Sequence, residues 1–331
     1  MTILGIETSC DETAASICKD GKILSNTVSQ QIIHSKFGGV VPEIASREHE
    51  ILLNTVVDKA LLESQIDLCD LDAISVTQGP GLVGTLLTGI SFAKGLGIGL
   101  GIPVIPVNHL EGHIFANFLA DESLEFPFVC LLVSGGHTQL WSIENMGKYL
   151  LLGETRDDAA GEAFDKGARI LGLGYPGGPE IEKASIGGNP NKISFPRSLL
   201  SKDSLEFSFS GLKTSLLYFM DDFKETKKIT LKDVTASYQM AIVDTLVEKV
   251  KRALNKTGFE RCIIAGGVAA NDCLRKELDK VLSKKNIIFP ELSLCTDNAA
   301  MISYLGEIKQ KIGGYDSIEF SAIPNLRLNK F

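Results

Sequence analysis

The sequence has little of what a secreted or membrane-embedded chain relies on. Its cysteines number seven, at 10, 18, 69, 130, 262, 273 and 295, and no two stand at C-x-x-C spacing. An odd, scattered set argues against a disulfide framework and a zinc ribbon, and reads as reduced thiols of a cytosolic protein. Met1-Thr2-Ile3-Leu4 runs straight into Gly5 and Glu7 with no signal-peptide pattern, which predicts a cytoplasmic protein. The apolar stretch from Leu82 to Val107 contains Lys94, six glycines and two prolines. It does not supply about 20 uninterrupted apolar residues, so a buried helix followed by a buried strand is expected there, and no membrane. Positive charge is also short: 33 Lys and Arg against 41 Asp and Glu give a net charge of -8. The whole chain is therefore not a basic nucleic-acid binder, and any RNA contact needs a local patch or a partner.

What is present points to a globular enzyme. The 331 residues are too many for one small core and suit two domains. Glycine is abundant, at 32 residues, and much of it is paired: Gly38-Gly39, Gly135-Gly136, Gly177-Gly178, Gly187-Gly188 and Gly266-Gly267. Paired glycines allow tight turns or a close backbone approach to a ligand.

Short apolar strands are expected at Ile3–Thr8, Ala14–Cys18 and Ile23–Val28. A helix over 46–63 follows, then a strand at Ala73–Thr77, a helix at Gly84–Leu96 and a strand at Val104–Val107. The pattern then recurs. Strands at Phe128–Ser134, Thr138–Ile143 and Tyr149–Gly153 precede a helix at Ala159–Leu171. After an insertion come a helix at 231–257, a strand at Arg261–Ala265, a helix at Asn271–Leu282 and a strand at Asn286–Phe289. The order β-β-β-α-β-α-β thus occurs twice, predicting two similar α/β domains with a ligand cleft between them. The first is placed at 1–108 plus about 297–331, the second at about 109–296. A last helix, about Asn298–Lys311, is expected to pack back on the first domain. The insertion, about 183–232, carries nine Lys/Arg against five Asp/Glu, an excess of four that leaves -12 for the rest of the chain. It is either a solvated surface or a patch for an RNA phosphate backbone.

His109 and His113 in Asn108-His109-Leu110-Glu111-Gly112-His113 are spaced i, i+4. On a helix they share one face and can share a metal. Asn108 suits the N-cap, and Glu111 three residues on gives a capping-box pattern. The spacing also suggests a metalloprotease, which angle can test. In H-E-x-x-H the glutamate lies about 80° from the midline of the pair, whereas Glu111 lies about 180° away, on the opposite face. A peptidase is therefore disfavoured.

The turn Ser134-Gly135-Gly136-His137-Thr138 presents several backbone N–H groups in one direction, a nest for anions. The corresponding turn of the first repeat is Thr8-Ser9-Cys10-Asp11-Glu12-Thr13. Ala265-Gly266-Gly267-Val268 has the form of a strand-to-helix turn beside a nucleotide. It lacks G-x-G-x-x-G, so a dinucleotide fold is unsupported. Tyr175-Pro176-Gly177-Gly178-Pro179 reads as a rigid loop. Asp165 can bind a ribose hydroxyl or form a helix-surface salt bridge. Asp297 in Thr296-Asp297-Asn298 can cap the last helix or serve as an oxygen ligand to the metal.

Eight segments now stand in order: Leu4-Gly-Ile-Glu-Thr-Ser-Cys-Asp-Glu-Thr13, Asn108-His-Leu-Glu-Gly-His113, Leu132-Val-Ser-Gly-Gly-His-Thr138, Asp158-Ala-Ala-Gly-Glu-Ala-Phe-Asp165, Tyr175-Pro-Gly-Gly-Pro179, Phe207-Ser-Phe-Ser-Gly-Leu-Lys213, Ala265-Gly-Gly-Val268 and Cys295-Thr-Asp-Asn298. Together they resemble the tRNA N6-adenosine threonylcarbamoyltransferase family of the bacterial TsaD type, formerly labelled O-sialoglycoprotein endopeptidases. The resemblance runs from about residue 3 to 310. It implies an actin-like ATPase (ASKHA) fold of two duplicated RNase H-like domains with a central cleft. It implies an acyltransferase that moves the threonylcarbamoyl group from its adenylate to the exocyclic amine of the adenosine 3′ of the anticodon, in tRNAs reading codons that begin with A. By the same resemblance His109, His113 and Asp297 would hold one iron (Fe2+) or zinc ion. Leu132, Val133, Ser134, Gly135, Gly136, Asp165, Gly178, Glu182 and Asn271 would bind ATP or the threonylcarbamoyl-adenylate. Implied partners are tRNA, a catalytically inactive paralogue, a small P-loop ATPase and the adenylate-forming enzyme that supplies substrate.

The adenylate is a mixed anhydride, so the enzyme needs mainly to position the amine and stabilise charge. Asp11 or Glu12 is the candidate group for deprotonating the amine. The competing readings are a non-catalytic actin-like scaffold, which would be expected to lack the histidine pair, and a small-molecule kinase, which would carry its metal on ATP.

Overall fold

The computed structural model describes residues 1–198, 204–224, 228–282, 286–313 and 318–328. The chain divides into two compact units, one of Met1–Leu119 with Thr296–Phe331 and one of Ala120–Cys295.

The first unit opens with β1 (Thr2–Glu7), β2 (Glu12–Lys19) and β3 (Lys22–Gln30), then α1 (Pro42–Ser64), β4 (Ala73–Gly79), α2 (Val83–Leu100), β5 (Val104–Asn108) and α3 (His109–Ala120). The five strands form one sheet in the order β3-β2-β1-β4-β5. β1 is antiparallel to β2 and parallel to β4. All six residues of β1 are buried, as expected of a central strand covered on both faces. On one face Leu4, Ile6, Ile17, Ile74 and Val76 meet Leu53 and Val57 of α1 and Ile90 of α2. α2 is the one described helix long and apolar enough to cross a membrane, but it lays Leu86, Gly89, Ile90 and Ala93 into this core.

The second unit contains β6 (Phe128–Val133), β7 (Thr138–Asn145), β8 (Lys148–Glu154), α4 (Ala160–Ile170), α5 (Gly177–Ser185), α6 (Ser210–Asp221), α7 (Leu231–Thr257), β9 (Cys262–Ala265), α8 (Asp272–Val281), β10 (Ile287–Ile288) and α9 (Leu292–Cys295). Its sheet runs β8-β7-β6-β9-β10. Relabelled by position within the unit, this is the same order as in the first sheet, so the repeat seen in the sequence is a repeat of topology. α7 starts on a capping box, in which the Thr230 hydroxyl accepts from Asp233 N and the Asp233 carboxylate accepts from Thr230 N.

The chain returns to the first unit with α10 (Ala300–Gly313). α10 covers the other face of the first sheet at very close range. A Cβ added to Gly5 would lie 2.5 Å from Ser303 N, and one on Gly306 would lie 2.4 Å from Ser75 Cβ. The last helix thus packs where the sequence places it.

Three features differ from the sequence reading. α3 stays with the first unit as far as Leu119 rather than opening the second. Residues 177–185 form α5, whose first turn takes up Gly177-Gly178-Pro179 of the rigid loop expected at 175–179. The basic insertion contains α6, and its Lys202, Asp203, Glu225 and Lys227 lie outside the described residues.

Candidate functional site

The first cluster is built on α3. Asn108 Oδ1 accepts from Leu110 N at 2.9 Å and from Glu111 N at 3.2 Å, capping the helix directly before His109. His109 and His113 then lie one turn apart, with ring centroids 4.7 Å apart and planes at 85°. Asp297 joins them from the segment before α10. Its Oδ1 is 3.4 Å from His109 Nε2 and 3.1 Å from His113 Nε2. Asn298 Oδ1 accepts from Met301 N at 3.2 Å, so Asn298 caps α10, while Asp297 faces the histidines.

These three residues fit a transition metal. Their ligand atoms lie within 4.8 Å of one another. Ligands about 2.0–2.1 Å from a tetrahedral zinc ion are about 3.4 Å apart, close to the two observed nitrogen–oxygen separations. Two imidazoles and one carboxylate suit zinc or iron and leave room for a further ligand.

Glu7 completes the surroundings of His109. His109 Nδ1 lies 2.9 Å from Glu7 Oε2, and this contact turns Nε2 toward Asp297. Thr77 Oγ1 donates to the same Glu7 oxygen at 2.6 Å, and Ser9 Oγ lies 3.2 Å from His109 Nδ1. Burial opposes charge on His109, but the carboxylates of Asp297 and Glu7 outweigh it and raise its pKa well above the usual histidine range. Burial likewise pushes Glu7 and Asp297 up, and the His109 charge more than reverses it, so both are held below the usual carboxylate range. In the metal-free protein a proton on His109 stands where a cation is electrostatically favoured. Glu7 escaped the sequence reading, although a carboxylate at the end of a fully buried strand is itself a signal.

The turn that carries Asp11 and Glu12 lies in the same unit. His49 on α1, fully buried, holds both sides of it. Its Nε2 is 2.9 Å from the Cys10 carbonyl and its Nδ1 is 2.8 Å from Thr13 Oγ1. Burial lowers the His49 pKa, which keeps the ring neutral. Burial first, then the charges of Asp297 and Asp11, raise the Glu12 pKa well above the usual range. A carboxyl so placed is a stronger base, once ionised, than an ordinary carboxylate. Glu111, by contrast, is turned away from the cluster. Its Oε2 pairs with Lys309 Nζ at 2.8 Å, which leaves the histidines without a protease-type glutamate.

The second cluster is in the second unit. Leu132 and Val133 are completely buried strand residues that lead into the glycine turn. Gly135 and Gly136 are exposed at the turn, and a Cβ on either would meet nothing within 4 Å. Ser134 closes the turn, accepting from His137 N at 3.1 Å through its hydroxyl. α4 abuts it: Gly161 N donates to the Ser134 carbonyl at 3.2 Å, and a Cβ on Gly161 would lie 2.6 Å from that oxygen. One helical turn later on the same face, Asp165 Oδ1 accepts from Gly177 N at 2.7 Å at the start of α5. Gly178 follows, with open space at its Cβ position, and Glu182 lies one turn beyond it. Glu182 Oε1 accepts from Asp272 N at 2.6 Å at the start of α8, where Asn271 Oδ1 caps Leu274 N. The expected adenylate-binding residues thus follow one another through direct contacts: the glycine turn, α4, α5 and the α8 cap. Gly266, at φ 91°, serves packing, since a Cβ there would lie 2.4 Å from the Val133 carbonyl. Asp157 accepts from Phe209 N and from the Ser208 and Ser210 hydroxyls, and Asp158 pairs with Lys166.

A family model described as tRNA N6-adenosine threonylcarbamoyltransferase matches residues 22–304. The tRNA N6-adenosine threonylcarbamoyltransferase of Kosmotoga olearia is 50% identical over 331 residues, covering 99% of each chain. Among solved structures, full-length HypF in its phosphate- and nucleotide-bound form aligns with a TM-score of 0.61 at 13% identity, over 95% of this chain and 47% of that one. Component A of (R)-2-hydroxyglutaryl-CoA dehydratase from Acidaminococcus fermentans aligns with a TM-score of 0.57 at 15% identity, over 94% and 99%. These structural likenesses bear on the fold alone, which is the actin-like ATPase fold. The family match over most of the chain, together with a half-identical relative aligned end to end, establishes that this chain belongs to the tRNA N6-adenosine threonylcarbamoyltransferase family of transferases.

Proposed function

We propose that this chain transfers the threonylcarbamoyl group from threonylcarbamoyl-adenylate to the exocyclic amine of the adenosine 3′ of the anticodon, in tRNAs reading codons that begin with A. The observation that carries the proposal is the convergence of His109, His113 and Asp297 in a member of this family. The second unit supports the adenylate end of the reaction. The exposed Gly135-Gly136 turn suits phosphate oxygens. Asp165, Gly178, Glu182 and Asn271 suit the ribose and base, with Leu132 and Val133 setting the strand that carries the glycine turn. HypF, the distant structural relative, was solved with nucleotide bound.

The amine nitrogen attacks the carbonyl carbon of the mixed anhydride, the bond from that carbon to the AMP oxygen breaks, and AMP departs with the electron pair. Asp11 or Glu12 accepts the proton lost by the amine. The remaining demand is positioning and charge stabilisation. Iron or zinc held by His109, His113 and Asp297 supplies Lewis-acid polarisation and a template when bound. A non-catalytic scaffold of this fold has no use for the histidine pair.

The proposal extends to the partners. The paralogue, the P-loop ATPase and the adenylate-forming enzyme follow from the family reading, as does a cytoplasmic site of action. The test supplies threonine, bicarbonate, ATP, the adenylate-forming enzyme, the partner proteins and unmodified tRNA to the purified chain, and analyses the nucleosides. Threonylcarbamoyladenosine is expected. Its absence with all components active would overturn the proposal.

A further inference from the structure

Glu111 sits between the two histidines in sequence and on the opposite face of α3. It is completely buried, and so, nearly, is its partner Lys309, which is 5% exposed. Two charges held 2.8 Å apart away from water are weak evidence for stability, since apolar residues of similar volume often serve the fold as well. Their placement suggests another role. The metal cluster is assembled from two elements only: α3 contributes His109 and His113, and the segment running into α10 contributes Asp297. Where α3 meets the start of α10 the contact is apolar and close. A Cβ on Gly112 would lie 3.2 Å from Ile302 Cδ1 and 3.3 Å from Met301 Cγ. Such contact is non-directional and does not by itself fix rotation or sliding. Lys309 lies about 10 Å further along α10 than Ile302, at 1.5 Å per residue. A second contact at that distance, the 2.8 Å ion pair, restrains both.

We propose that the Glu111–Lys309 ion pair is a positioning device that sets the histidine helix against α10 so that His109, His113 and Asp297 converge. The inference rests on reading those three residues as metal ligands. Neither Glu111 nor Lys309 touches the metal or substrate; the pair acts through the helix it orients. Loss of this kind of support costs about 10- to 100-fold in metal affinity.

The experiment is a Zn2+ titration of full-length, metal-free protein in competition with a chromophoric chelator, with a thermal midpoint measured on the same samples. The variants are the neutral pair Glu111→Gln with Lys309→Met, and Lys309→Arg. The neutral pair is expected to fold with a midpoint near wild type and to bind Zn2+ at least tenfold more weakly. Lys309→Arg is expected to keep wild-type affinity. A folded neutral pair that binds Zn2+ as wild type does would overturn the inference, and so would a neutral pair that does not fold, since the ion pair then serves the fold as a whole. Wild-type protein that takes up no Zn2+ would overturn the metal reading and this inference with it.

Discussion

Glu7 and His109 stand 102 residues apart in sequence and meet through a 2.9 Å hydrogen bond from the imidazole Nδ1 to the carboxylate Oε2. The bond fixes which nitrogen faces Asp297. It also depends on the sheet order, because β1 and β5 lie on either side of β4.

Replacing Glu7 therefore acts on the metal rather than on substrate. Glu7→Gln keeps the volume but allows the His109 ring to take the wrong tautomer. Metal affinity is expected to fall about 10- to 100-fold, as read by chelator competition. Wild-type affinity in a folded Glu7→Gln protein would remove Glu7 from the account.

Metal uptake should release a proton. In the metal-free protein the carboxylates of Asp297 and Glu7 raise the His109 pKa and favour its protonated form, whereas a ligand histidine must be neutral. Raised means protonated below the shifted value, so apparent metal affinity should climb with pH until that value is passed. Roughly one proton per metal is expected, and about a tenfold gain in affinity per pH unit. Calorimetry in buffers of different ionisation enthalpy measures the proton count. No release and a flat profile from about pH 6 to 8 would contradict the electrostatics described for this cluster.

Gly161→Ala separates the two clusters. The added Cβ would meet the Ser134 carbonyl at 2.6 Å and Gly135 Cα at 2.8 Å, forcing the glycine turn to move. Overpacking of about 1–3 kcal/mol corresponds to about a 5- to 150-fold loss of nucleotide affinity if the turn carries it. Metal content should not change. Equilibrium binding of a non-hydrolysable adenylate analogue, with metal analysis on the same sample, checks both halves.

Asp11→Ala tests the proton acceptor. If Asp11 takes the amine proton, transfer should slow by about 100-fold or more while metal stays bound. Full transfer by Asp11→Ala would pass the role to Glu12.

The sequence carried the architecture because its signals are local. Short apolar runs bounded by turn residues marked the strands twice over, and the i, i+4 histidines and the opposed Glu111 follow from helical pitch alone. The cap at Asn108 was local too. What could not be read depends on distant chain segments. Asp297 meets His113 across 184 residues, and whether it or Asn298 caps α10 is decided only in three dimensions. Glu7 and His49 act through tertiary contacts with His109, Cys10 and Thr13 that no spacing encodes. α5 was missed because its first residues, Gly177-Gly178-Pro179, have the composition of a turn.

The most direct measurement of the central claim compares wild type with the His109→Ala, His113→Ala double variant in the reconstituted reaction, reading threonylcarbamoyladenosine in tRNA by nucleoside analysis. The account predicts modified adenosine from wild type and none from the double variant, which should also be purified free of transition metal. Equal modification by both proteins would contradict it.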